Sequence, residues 1–191
     1  IIFTKGAFLK NFIFLCLATL FSGLGVGFSK FFALSYLVKQ NGDPLSQAWL
    51  IQVIAALLTI GPVLVYFVSS PLASSARKNR IMGLSALTIV LVILFGNTTG
   101  WLGSVWLYFL VIGLFMGLFS AAKMASVPLE SERSGMSPEA VDGGLNVALI
   151  VGILLGSPAG KYVWLSAPGS GIWIGGVLFL LTGLFGYCVR F

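Results

Sequence analysis

The chain has 191 residues, of which 58% are hydrophobic and 8% charged, with 24 glycines, no histidine, eleven bases against five acids and a net charge of +6. A mean hydropathy of +1.05 lies far outside the range of soluble domains, and so few charges cannot furnish a soluble protein's polar shell. Without histidine, and with two isolated cysteines, Cys16 and Cys188, inside apolar runs, the chain lacks the usual materials for metal binding, a cofactor site or nucleophilic catalysis, so an enzyme is not expected.

A membrane-crossing helix needs about 20 mostly apolar residues. Cutting the chain at its polar interruptions predicts an all-α integral membrane protein, a single domain over 1–191 with six spans at about 12–38, 47–69, 81–96, 104–127, 141–164 and 171–189. The connections, among them KQNGDPLSQ, NTTGWLGS and LSAPGSG, are short and rich in turn-forming residues, which makes consecutive helices antiparallel neighbours.

Within the first span, Thr19, Gly23, Gly27 and Lys30 recur at spacings of four, four and three and so share one helix face that is nearly free of bulk. Lys30 lies about eight residues, or about 12 Å, from the nearer end, too deep for a charged amine to be cheap unless it faces protein or water. Two readings stand: a groove that receives an anionic or zwitterionic headgroup, or a tight packing seam with a partly snorkelled lysine.

After the second span comes the basic cluster Arg77-Lys78-Asn79-Arg80, which reads as a topology anchor; a nucleic-acid partner is not expected. The third span, at 81–96, is short. The fourth is followed by the most polar stretch of the chain, with Lys123, Glu130, Glu132 and Arg133. Lys123 is expected to end a helix, where a cation complements the carbonyl dipole, and the later charges to form exposed pairs in a short amphipathic or irregular segment at the membrane surface. Ser137-Pro138-Glu139 is a strong helix start. The fifth span then opens with Asp142, Gly143, Gly144 and Asn146, polar and small residues suited either to a hinge or to headgroup contact.

Lysine and arginine set the orientation. Lys5, Lys10, Arg77, Lys78, Arg80, Lys123, Arg133 and Arg190 fall on one side, Lys39 and Lys161 on the other, and Lys30 within a span. Both termini are therefore expected in the cytoplasm. Trp49, Trp101, Trp106, Trp164 and Trp173 lie near the opposite ends, as an interfacial belt requires. The basic excess matches attraction to anionic lipid. The chain begins with Ile1, which leaves room for a longer native polypeptide.

Two stretches resemble the major facilitator superfamily. Ser69 to Gly83, SSPLASSARKNRIMG, resembles the loop between its second and third helices; Arg77, Lys78 and Arg80 match the basic end of the pattern, while Ser74 and Ser75 replace its Asp and first Arg. Gly117-Leu-Phe-Ser-x-x-Lys123, an acidic loop, and Ile153-Leu-Leu-Gly-x-x-Ala-Gly160 resemble the lysophospholipid transporter branch. Ala121 and Met124 stand where that branch has Pro and Tyr, its FxxxFFK pattern falls on Gly25 to Lys30, and Val26 and Asn146 replace two of its acids.

The resemblance implies one half of a twelve-helix transporter, built as a 3+3 inverted repeat. GLGVGFSK in the first span and GLFMGLFSAAK in the fourth echo one another as such a repeat would. It further implies a bacterial cytoplasmic membrane and alternating access for a lysophospholipid or another amphipathic lipid. On that reading Thr19, Gly23, Gly27, Lys30, Lys123 and Asn146 contact substrate, and Arg77, Lys78, Arg80 and Asp142 form the gate. The partners are membrane lipids and a second six-helix half or other membrane subunits. The alternative is a non-transporting accessory or assembly subunit that keeps the scaffold, to which the missing acids and the six-helix length point.

Overall fold

The computed structural model describes residues 5–40, 77–98 and 105–190, together with 49, 52–53, 56–57, 60 and 63–65. Among these residues the only regular structure is helical. Five continuous α-helices are seen: α1 (Lys5–Gln40), α2 (Lys78–Thr98), α3 (Val105–Ser134), α4 (Pro138–Ser166) and α5 (Gly171–Cys188), with a single 3-10 turn, Pro168–Ser170, before α5. Each contains a stretch long and apolar enough to cross a membrane: Lys10–Phe32, Lys78–Phe95, Phe109–Ser134, Pro138–Ser166 and Gly171–Cys188. Most of the predicted span at 47–69 lies outside the described residues, and those described within it are helical.

The antiparallel arrangement is fixed by contacts at both ends. Asn11 in α1 donates through Nδ2 to the carbonyl of Arg190 at 2.8 Å, and Asn79 at the start of α2 donates to the carbonyl of Tyr187 at 3.4 Å. Arg133, in the last turn of α3, donates to the same Arg190 carbonyl at 2.7 Å. The starts of α1, α2 and α4 and the finishes of α3 and α5 therefore share one end, which carries most of the Lys and Arg. At the other end Phe32 of α1 meets Trp164 of α4 edge to face, with ring centroids 5.4 Å apart.

Glycine sets the tightest contact in the bundle. Gly23 and Gly27 of α1 face Gly152, Gly156 and Gly160 of α4. A Cβ added to Gly23 would strike the Leu149 carbonyl, one on Gly156 the Leu24 carbonyl, and one on Gly160 the Phe28 carbonyl. Backbone thus packs directly on backbone. Without a hydrophobic drive between helices in lipid, such close approach, with its dispersion contacts, is what holds two helices together. Of the two readings of this α1 face, a groove or a tight packing seam, the contacts match the seam: α4 fills it.

Two apolar clusters complete the core. Toward the basic end, Leu15, Met82, Phe119, Val127, Val141 and Leu145 pack together; farther along, Ile89, Ile93, Ile112 and Phe179 do so. Leu84, Leu91 and Phe95 of α2 and Val147, Leu154, Leu155 and Leu165 of α4 point outward. An apolar outer surface of this kind suits a lipid solvent.

The largest departure from the sequence reading lies in α3. Lys123 does not end a helix: α3 runs on through Pro128 to Ser134. Proline removes one helix hydrogen bond, yet Leu129, Glu130, Glu132 and Arg133 are good helix formers that carry the helix past it. It stops at Gly135, whose φ of 70° suits a residue without Cβ and whose N–H returns to the Ser131 carbonyl at 2.9 Å. The segment expected after the fourth span, amphipathic or irregular, is helical as far as Ser134 and leaves only a three-residue turn at 135–137.

Candidate functional site

Beyond that turn, Ser137 caps α4 as expected, its hydroxyl accepting from the Ala140 N–H at 3.3 Å, with Pro138 in the first turn and Glu139 beside the positive helix end. Val141 and Leu145 are fully buried and turn the opening of α4 inward. Asp142, one residue on from Val141, is half-buried, and Asn146, one helical turn further, is exposed. Asn146 donates through Nδ2 to Asp142 Oδ2 at 3.0 Å.

Lys123 approaches from α3, with only 5% of its surface exposed, and lies close enough to Asp142 for their charges to attract. Three residues singled out from the sequence, Lys123, Asp142 and Asn146, thus meet at one place. A cation and an anion held in a helix wall stabilise one another far more than they would in water, because low dielectric amplifies their attraction while making either alone costly. Asp142 Oδ1 is buried with no hydrogen-bond partner.

A second buried charge lies two turns farther along α3. Glu130 has no exposed surface, and neither of its carboxylate oxygens accepts a hydrogen bond. Arg133 Nη1 stands 3.9 Å from its Oε1 while donating to the Arg190 carbonyl. The expectation of exposed, solvated pairs at Glu130 and Arg133 is therefore corrected: continuation of α3 places Glu130 on the same face as Lys123 and Val127, at spacings of four and three, and buries it. That spacing was the signal available in the sequence. Ser126, also fully buried, bonds back to the Lys123 carbonyl at 2.5 Å.

The remaining predicted residues lie elsewhere. Thr19 is buried and donates to the Leu15 carbonyl at 2.8 Å, while Gly23 and Gly27 belong to the α1–α4 seam. Lys30 is half-buried toward the opposite end, two residues before the apolar stretch of α1 finishes at Phe32. Arg77 and Arg80 are exposed and Lys78 half-buried. All three stand at the start of α2, at the same end of the bundle as the Lys123 cluster.

The chain matches no known family model, no curated protein and no solved structure.

Proposed function

We propose that this protein is a transporter-like membrane protein, one half of a two-part carrier of the major facilitator kind. On this reading it moves an amphipathic lipid with an anionic headgroup across a bacterial cytoplasmic membrane by alternating access, with both termini in the cytoplasm. The observation that carries the reading is Lys123: an ammonium almost wholly buried between membrane helices, beside Asp142. Intramembrane charges are expensive and mark the path of a polar substrate more often than they serve packing. Lys123 would attract the headgroup phosphate or carboxylate, Asp142 and Asn146 would orient the lysine, and Arg77, Lys78 and Arg80 would gather anionic lipid at the membrane face.

The reading is tested by uptake of headgroup-labelled lysophospholipid into reconstituted vesicles. Lys123→Gln removes uptake, whereas Lys30→Ala, at the far end of α1, reduces it only if the lipid also passes that end. Undiminished uptake by Lys123→Gln ends the assignment.

A second reading, a non-transporting accessory or assembly subunit, is favoured by one specific observation. The small-residue face of α1 that would serve as a groove is taken up by α4, so those glycines serve the scaffold. Recovery of the protein only within a larger membrane complex, together with absence of uptake by the unaltered chain, would favour this alternative.

A further inference from the structure

Glu130 is the most completely buried acid among the described residues, and the cluster around Lys123 leaves its chemistry unused. Both of its oxygens lack hydrogen-bond partners, and its surface is fully covered. A buried charge that accepts no hydrogen bond is among the most unfavourable arrangements a fold can hold. Arg133 is the base poised to relieve it. The guanidinium stands 3.9 Å from Oε1 while the same Nη1 donates to the Arg190 carbonyl at 2.7 Å. That bond ties the last turn of α3 to the chain end following α5.

We propose that Glu130 is a proton-binding site, and that its occupancy decides whether Arg133 holds the end of α5. In the packing seen, the carboxylate has taken up a proton from the aqueous side and stands as a neutral acid, leaving Arg133 to the Arg190 carbonyl. Loss of that proton returns a negative charge to a place without solvent, and Arg133 swings onto it, releasing Arg190. A proton is the ligand that fits, because an oxygen with no exposed surface can gain a hydrogen but has no room for a hydrated ion. The charged groups at this end are Lys5 and Lys10 on α1, Arg77, Lys78 and Arg80 at the start of α2, Lys123, Glu132 and Arg133 on α3, Glu139 and Asp142 on α4, and Arg190 after α5. Of these, Lys123 is attracted by Asp142, and Arg133 stands 3.9 Å from the Glu130 carboxylate.

The chain has three glutamates, Glu130, Glu132 and Glu139, and the last two are exposed. The test therefore uses the full chain in lipid nanodiscs with carboxyl-¹³C glutamate and the substitutions Glu132→Gln and Glu139→Gln, which leave Glu130 as the one labelled acid. Infrared spectra at neutral pH are expected to show the carbonyl stretch of a protonated acid, bleaching as pH is raised. A carboxylate band alone at neutral pH overturns the proposal. Spectra of the fully labelled native chain against Glu130→Gln give the same answer without the double variant.

Amide exchange then reads the coupling. As the acid band bleaches, exchange at 187–190 rises in the native chain relative to Glu130→Gln, which imitates the protonated state. Bleaching with an unchanged ratio overturns the link to Arg133. Neither readout depends on lipid movement, so failure of the transport reading and failure of this one are separately visible.

Discussion

Replacing Gly27 with Ala tests whether the α1–α4 seam is a close-packed contact. The new Cβ would lie 2.8 Å from the Ile153 carbonyl oxygen and 3.2 Å from both the Ile153 Cα and the Ser157 nitrogen. These are backbone atoms of a helix and cannot rotate aside. Restoring an ordinary contact of 3.4 Å parts the helices locally by about 0.6 Å, enough to forfeit a quarter or more of the dispersion energy of each atom pair along the seam. Overpacking of this kind costs about 1–3 kcal/mol.

Alanine also improves helix propensity by about 1 kcal/mol over glycine, which would mask part of the loss. Gly143→Ala supplies the reference, since nothing lies within 4 Å of its Cβ position and the propensity gain is the same. The difference between the two variants isolates the seam at about 1–3 kcal/mol. It is read as a shift in the detergent fraction at which helicity is lost during reversible unfolding in mixed micelles. Equal midpoints for Gly27→Ala and Gly143→Ala would show that α1 and α4 do not pack backbone to backbone.

Two further predictions follow from the basic end. Ser137→Ala removes the hydroxyl that accepts from the Ala140 N–H and costs about 1 kcal/mol at the start of α4; this is measured as faster amide exchange at Ala140, and an unchanged rate would mean the cap is redundant. Cys188 is exposed and Cys16 half-buried within the apolar stretch of α1, so a membrane-impermeant maleimide is expected to label Cys188 alone, and only from the cytoplasmic side of oriented vesicles. Labelling from the opposite side inverts the proposed topology.

Much of the architecture was readable because lipid leaves the chain few choices: backbone polar groups must be satisfied within each span, so long apolar runs become helices. The runs beginning near 81, 104, 141 and 171 correspond to α2, α3, α4 and α5, and the short third run gains residues at both ends, reaching Lys78 and Thr98. The start of α4 was legible because Ser137, Pro138 and Glu139 each act locally. What α1 does with its glycines was not. Small residues at spacings of four announce close approach, but the same pattern describes an empty groove and a filled seam, and only the matching glycines at 152, 156 and 160, more than a hundred residues away, decide between them.

The charged cluster was half legible for a related reason. Lys123, Asp142 and Asn146 stood out as polar residues bordering apolar runs, whereas Glu130 was assigned to solvent because Lys123 was expected to end the helix. Its burial depends on α3 continuing, and that continuation brings Lys123, Val127 and Glu130 onto one stripe. The seam then acquires a second role. By pinning α4 to α1 along its glycines, and by seating Phe12 against Gly144 at 3.1 Å from its Cβ position, it fixes where α4 begins, while the three-residue turn at 135–137 fixes α3 relative to that start. Asp142 is thereby held toward Lys123 by elements with little freedom to shift, the kind of rigid support that a polar site needs if its geometry is to persist. Loosening the seam where Gly27 meets Ile153 of α4 should therefore disturb the Lys123–Asp142 approach at the start of α4, although neither residue touches that glycine.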